Sequence, residues 1–144
     1  MQRLKMTLAL MAFAATGLFA QSPTPAPVQK HVLQGAWVIE TLGGKLTPPG
    51  VSLVLTVAAD GTYTAAQNDS VEERGTIRVN TTKKPMTLDF IISDGSSAGK
   101  TQLGIFELAA GSLKMSLATP GSTTRPVDFT ISPANELIVL KKKT

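Results

Sequence analysis

The sequence predicts an all-β protein, namely a small antiparallel up-and-down barrel of about eight or nine strands. Short segments in which apolar and polar residues alternate follow one another along the chain, as strands with one buried face do. Turn sequences rich in glycine and proline separate these segments. No window carries the apolar period of an amphipathic helix of three turns or more. Consecutive hairpins of this kind favour a closed barrel, because closure removes exposed strand edges.

Individual strands follow from this alternation. The clearest one places Met86, Leu88, Phe90 and Ile92 on one face, since neighbouring side chains of a strand point to opposite sides. The segments predicted as strands lie near 34–41, 51–59, 61–66, 71–79, 86–92, 102–108, 112–118, 126–131 and 136–141. Asp60-Gly61 stands between two of them, and this dipeptide suits the positive φ of a tight hairpin turn.

The first 20 residues have the plan of a secretory signal peptide. Arg3 and Lys5 form a short basic region, an apolar run follows, and Ala20 precedes a plausible cleavage site. The apolar run is shorter than the roughly 20 residues that a membrane span needs, which favours a cleaved signal over an anchor. Residues 21–31 form a Pro-rich spacer, and residues 32–144 form the barrel domain. We therefore expect a secreted or periplasmic protein without an integral membrane segment after cleavage.

Composition narrows the classes of function. The chain has 14 basic and 10 acidic residues, and two of the basic ones, Arg3 and Lys5, lie in the predicted signal peptide. The remaining excess of positive charge is small and partly confined to the C-terminal lysines, so nucleic acid is not an expected partner. The sequence contains no cysteine, which excludes disulfides, thiol catalysis and cysteine-ligated metals. We predict no cofactor and no metal site.

Several segments along the predicted barrel domain resemble an uncharacterised lipocalin-like family, described as a planctomycete paralogous domain. The residues that carry the resemblance are Leu33 to Trp37, Lys83 to Asp89, Asp94-Gly95, Gly99 to Thr101, Leu103 to Leu108, Leu113-Lys114, Pro120-Gly121, Arg125-Pro126, Phe129 and Leu137 to Lys141. The resemblance implies a lipocalin-like barrel and an exported protein, and it implies no reaction. Gly35-x-Trp37 is also similar to the Gly-x-Trp of lipocalins, which implies a packing role for Trp37 with Lys141 stacked on it.

No group of residues predicts catalysis. The glycines Gly95 and Gly99 before Lys100 are too closely spaced for a phosphate-binding loop, and a strand rather than a helix follows them. His31 is the only histidine and is expected to be exposed in the spacer, where it has no neighbours for zinc or nucleophile activation. Glu72 and Glu73 are adjacent on a strand and are expected to face opposite sides, so they cannot share a site.

Two hypotheses for function remain open, and an enzyme is the less favoured third. The first is a non-enzymatic barrel that binds a small apolar or amphipathic ligand, because barrels of about eight strands can hold one. The residues predicted to line its interior are Trp37, Leu55, Leu88, Phe90, Met115 and Phe129. The second is a solid barrel that serves as an interaction or inhibitor module, docking on an envelope or secreted protein through the loops Asp94–Thr101 and Pro120–Arg125.

Overall fold

A computed structural model describes residues 31–144 of the chain. The predicted signal peptide, residues 1–20, lies outside the described residues, as does all of the predicted spacer except His31. The described part contains nine strands and no helix, which confirms the prediction of an all-β protein. The strands are β1 Gly35–Leu42, β2 Lys45–Leu46, β3 Leu53–Val57, β4 Thr62–Gln67, β5 Ser70–Asn80, β6 Met86–Asp94, β7 Thr101–Ala109, β8 Ser112–Ala118 and β9 Asn135–Lys142.

The strands form one antiparallel sheet that closes on itself. Their order is β2-β1-β3-β4-β5-β6-β7-β8-β9, and β1 also pairs with β9. Strands β1 and β3 to β9 therefore make an eight-stranded barrel, and β2 is an extra strand paired only with β1. Each neighbour along the barrel is also the next barrel strand in sequence, so the topology is up-and-down, as predicted.

Alternating connections give the barrel two different ends. The closed end carries the segment before β1, the β3–β4, β5–β6 and β7–β8 turns, and the end of β9. The β3–β4 turn is the predicted hairpin: Gly61 has φ of 91°, and the Asp60 carboxylate accepts hydrogen bonds from Thr62 N at 3.0 Å and Oγ1 at 2.7 Å. The open end carries the remaining connections, and the longest of these joins β8 to β9.

Large apolar side chains fill the closed half of the barrel. Phe106, Leu113 and Leu140 are fully buried in it, and Leu33 lies fully buried just before β1. The inward face of β6 carries Leu88, which is 1% exposed. These residues alternate with outward ones along each strand, so the hydrophobic pattern sets which face turns inward. The stable base of the molecule is therefore a packed core rather than a channel.

One predicted strand does not form. Residues 126–131 show the expected alternation of apolar and polar types, but they belong to no strand. The reason is tertiary, because β8 pairs directly with β9 over seven residues and leaves no edge between them. The connection, residues 119–134, instead runs outside the barrel, and we refer to it as the outer strap. Val127 and Ile131 on it are 80% and 54% exposed. The short strand β2 was not predicted.

Arg125 fastens the outer strap to the barrel wall. Its Nη2 lies 2.7 Å from Oδ1 of Asp89 on β6, and its Nη1 donates to the backbone oxygens of Leu88 at 3.0 Å and Gly104 at 2.8 Å. Ile105 occupies an outward position on β7 and is nevertheless only 2% exposed. A residue buried on the outside of the sheet needs a cover there, and the contact of Arg125 with the Gly104 oxygen places the outer strap beside Ile105.

Candidate functional site

The open half of the barrel contains a cavity of about 340 Å³. Its walls are mainly apolar and come from all eight strands of the barrel. The apolar residues that line it include Leu55, Phe90, Met115, Leu117, Ile138 and Leu140. Pro120 at the start of the outer strap contributes to the same cavity. Small-molecule sites begin at about 300 Å³, so this space fits a small ligand.

The cavity exists because the inward residues are small or polar near the open end and large and apolar deeper in the barrel. On β4 the inward position next to the open end is Ala65, which leaves room that a larger residue would fill. On β7 and β9 the corresponding inward residues are Gln102 and Glu136. Deeper in the barrel the same strands carry Phe106 and Leu140, both fully buried. The interior is thus a cup with a packed floor.

Tyr63 and Glu73 form a polar contact in the wall of the cup. The Tyr63 hydroxyl donates a hydrogen bond of 2.8 Å to Oε1 of Glu73, from β4 to β5. The Tyr63 ring packs edge-to-face on Phe90, with ring centroids 5.0 Å apart. Burial raises the pKa of the Tyr63 hydroxyl far above its usual range, and the Glu73 carboxylate raises it further. Tyr63 is therefore a neutral hydrogen-bond donor at any physiological pH.

Gln102 and Glu136 complete the polar part of the lining. Gln102 donates from Nε2 to the backbone oxygen of Ala118 at 2.9 Å, which fixes the amide against the start of the outer strap. Glu136 is exposed at the start of β9. In the closed ring of eight strands β9 lies four positions from β5, so Glu136 and Glu73 stand on opposite walls. The cup thus combines an apolar interior with two carboxylates at different sides.

The six residues predicted to line a ligand site occupy three different environments. Leu55, Phe90 and Met115 line the cavity. Leu88 is part of the packed core and is absent from the cavity lining. Phe129 was placed wrongly, because the segment that carries it is the outer strap and not a strand; its ring lies outside the barrel, 4.5 Å from the Nζ of Lys114.

Trp37, the sixth of these residues, belongs to the closed end. It is 3% exposed, and its Nε1 donates to the backbone oxygen of Leu33 at 2.8 Å. A basic residue does stack on it, but this is Lys142 and not the predicted Lys141. Lys142 pairs directly with Trp37 across β9 and β1, whereas Lys141 turns outward to Glu40 at 3.5 Å. A shift of one residue on a strand reverses the face, which explains the error.

Glu72 and Glu73 were expected not to share a site, and the structure places them in two different concavities. Strand β5 has a β-bulge opposite Ala65 and Ala66, and Glu72 is its extra residue. Glu72 lines a groove of about 150 Å³ that shares Ile39 and Ala65 with the main cavity. The two carboxylates therefore serve neighbouring concavities at the open end.

His31 is held in the fold and is not a free side chain of the spacer. Leu33 N donates to its Nδ1 at 3.2 Å, so Nε2 carries the proton and donates to the backbone oxygen of Ile77 at 3.1 Å. The half-buried imidazole thereby ties the segment before β1 to β5. Its role in the structure is to close this end of the barrel.

The polar members of the cup, namely Tyr63, Glu73, Gln102 and Glu136, were not predicted as site residues. A signal for them was present, since strict alternation places Glu136 on the same face as Ile138 and Leu140. The bulges in β5 obscured the same signal for Glu73. Polar residues at inward positions near the same end of several strands would therefore have indicated the polar part of the cup.

The described part of the chain gives little support to phosphate binding, to a metal site or to a membrane-spanning helix. Residues 95–100 connect β6 to β7, and Gly99 N donates to the backbone oxygen of Ile92 at 2.9 Å, so a strand follows as expected. Among residues 31–144, no three histidines, cysteines or acidic residues are grouped as metal ligands. Within the same residues, no helix is long and apolar enough to cross a membrane.

Comparison with family models, with curated proteins and with solved structures finds no match to this chain. The geometry of the cup is therefore the basis for a functional proposal.

Proposed function

We propose that this chain is an exported, non-enzymatic binding protein that holds one small amphipathic molecule in the cup of its barrel. The observation that carries the proposal is the cavity of about 340 Å³ inside the open half of a closed eight-stranded barrel. Barrels of this size either fill themselves with side chains or hold one small ligand, and a cavity of this size favours the second use.

The distribution of polarity supports an amphipathic rather than a purely apolar ligand. Leu55, Phe90 and Met115 offer an apolar surface, whereas Glu73 and Glu136 offer acceptors in the same space. A ligand without a polar group would displace water from the cup and offer no donor to Glu136 or to the second oxygen of Glu73, which is unfavourable. A ligand with an apolar body and one polar group would satisfy both parts of the lining.

The interaction hypothesis is the second candidate, and one of its two loops is anchored to the barrel wall. Arg125, at the end of the loop Pro120–Arg125, is engaged with Asp89 and two backbone oxygens of the wall. A loop held in this way is preformed, which suits docking without rearrangement, but its described contacts all lie within the chain and indicate no partner. Membership of the lipocalin-like family and export through a signal peptide are part of the same proposal. The mass of the mature chain purified from its host would show whether the signal peptide is cleaved.

The first experiment is native mass spectrometry of the mature protein from its own host, followed by titration with an environment-sensitive apolar fluorophore. Ala65→Phe should fill the cup and abolish fluorophore binding, because Ala65 lines the cavity. Thr64→Phe is the matched control, since its neighbouring position on β4 is outside the cavity lining. An extra mass lost on denaturation, with binding lost only in Ala65→Phe, supports the proposal. Absence of binding in the unchanged protein, or equal binding in both variants, overturns it.

A further inference from the structure

The cup carries negative charge and no positive charge. Glu73 and Glu136 line it, and no lysine, arginine or histidine among the described residues does so. The chain as a whole has a net charge of +4, so the negative lining is a local feature and does not follow from composition. The long-range field of a basic protein does not attract cations. A preference for a cation would therefore have to come from the cup itself.

The basic residues of the adjoining strands are directed to other partners. Arg74 follows Glu73 on β5 and forms an ion pair of 3.1 Å with Asp94, outside the cavity lining. On β9, Lys141 approaches Glu40 at 3.5 Å, and Lys142 lies over Trp37 at the closed end. None of these cations neutralises Glu73 or Glu136. The carboxylates of the cup are left without a basic partner from the strands that carry them.

Glu73 is also oriented by its neighbour. The Tyr63 hydroxyl occupies its Oε1, and in the described part of the chain no protein group donates a hydrogen bond to its Oε2. One carboxylate oxygen is thus fixed, and the other is left for a ligand donor. The ring of Phe90 packs edge-to-face with Tyr63 and lines the same cavity. The apolar floor beyond this ring would accept a hydrocarbon group.

We propose that the ligand of the cup is an amphipathic amine, with its ammonium group at the free carboxylate oxygen of Glu73, in the field of Glu136 on the opposite wall, and with its apolar body on the floor. This inference rests on the proposed function, which it makes more specific by naming the chemical class. Charge-assisted hydrogen bonds to carboxylates in a partly enclosed site are stronger than neutral ones, so the ammonium form of a ligand should be preferred. An anionic amphiphile should be repelled by the same two groups.

The test compares three ligands with the same hydrocarbon chain, namely octylammonium, octanol and octanoate, by calorimetric titration below their micelle concentrations. The full mature chain is used. Octylammonium should bind at least about tenfold more tightly than octanol, and octanoate should bind most weakly. Glu73→Gln and Glu136→Gln should each reduce this preference severalfold. Glu107→Gln is the matched control, because Glu107 is exposed, pairs with Lys114 and does not line the cup.

The outcomes separate this inference from the proposed function. Equal binding of the three ligands, or tightest binding of octanoate, overturns the amine inference and leaves the ligand-binding barrel in place. A preference for octylammonium that persists in both glutamine variants also overturns it. Binding of none of the three, together with no fluorophore binding, overturns both. Glu136→Gln keeps the test independent of folding, because Glu136 is exposed and takes part in no ion pair in the described residues.

Discussion

The ammonium of Lys142 lies 4.6 Å from the centroid of the Trp37 ring and donates a hydrogen bond of 2.7 Å to the backbone oxygen of Gln34. The last strand of the barrel is thereby fastened to the residues that precede the first. The two residues are direct partners across β1 and β9, the pair of strands that closes the barrel. The contact therefore stabilises the closure itself as well as the closed end.

Removal of this ammonium should destabilise the fold. Lys142→Met keeps the hydrocarbon stem and loses the charge, and we expect a loss of about 1 kcal/mol in the free energy of unfolding. Urea unfolding followed by the fluorescence of Trp37, the only tryptophan, measures it. Lys143→Met is the control, because Lys143 is exposed and its side chain makes no hydrogen bond or ion pair in the described residues. Equal stability of the two variants would contradict the assignment.

Tyr63 should resist ionisation as long as the protein is folded. It is the only tyrosine, so the ultraviolet absorbance of phenolate reports on it alone. Its folded pKa is raised, first by burial and then by Glu73, so the folded state retains the proton that the unfolded state loses. Stability is fully present below the ordinary tyrosine pKa of about 10 and falls as pH rises above it. We expect phenolate absorbance to appear together with loss of the β circular dichroism signal.

The variant Glu73→Gln distinguishes the two causes of the raised Tyr63 pKa, namely burial of the hydroxyl and the nearby carboxylate. In Glu73→Gln the charge that opposes ionisation is absent, but the burial of the ring is retained, so the onset of phenolate absorbance should move only slightly to lower pH. A titration of Tyr63 near pH 10 in the folded, unchanged protein would show that the hydroxyl is accessible and would contradict the described contact.

Gly75 should not tolerate a side chain. A Cβ at this position would overlap the backbone oxygen of Ile91 and lie 2.9 Å from the Tyr63 ring. Backbone cannot move aside as a flexible side chain can, so Gly75→Ala should cost about 3 kcal/mol or more. Gly111→Asn is the control, since nothing lies within 4 Å of that Cβ and asparagine tolerates its φ of 71°. Thermal unfolding of both variants measures the difference, and similar midpoints would refute the prediction.

Loss of the Arg125 contacts should destabilise the outer strap more than the rest of the protein. Arg125→Met removes the ion pair with Asp89 and two hydrogen bonds to the wall, for which we expect a loss of about 2 kcal/mol. Amide exchange of residues 119–134 should accelerate at the same time. Arg74→Met is the comparison, because its ion pair with Asp94 is well exposed and should contribute less than about 1 kcal/mol. Unchanged exchange in Arg125→Met would show that the strap is held by other contacts.

Two exposed turn carboxylates should titrate at lower pH than ordinary aspartates. Asp60 accepts hydrogen bonds from the backbone and hydroxyl of Thr62, and these lower its pKa. The pKa of Asp128 is lowered in the same way by Thr130. The stabilisation is present above the unfolded pKa and is lost as pH falls through the lowered folded pKa. Carboxyl chemical shifts followed by NMR should give both values below 3.8, and Thr62→Val should raise that of Asp60.

The architecture could be predicted from local sequence because the barrel is built from neighbouring hairpins. Turn residues such as Asp60-Gly61 and the alternation along β6 specify where strands begin, end and face, and each strand then pairs with the next. The same alternation made Leu55, Phe90 and Met115 predictable as inward residues. These features depend only on contacts that are close in sequence.

The composition of the cup and the course of the outer strap were decided by tertiary structure. Direct pairing of β8 with β9 excluded residues 126–131 from the sheet, although their pattern suits a strand. Bulges in β1 and β5 shifted faces by one residue, and an alternation pattern cannot reveal where such shifts occur. Tyr63 and Glu73 meet because β4 pairs with β5, and Glu136 joins their cavity only because the barrel closes. The sequence by itself determined a barrel, and long-range pairing decided what its interior offers to a ligand.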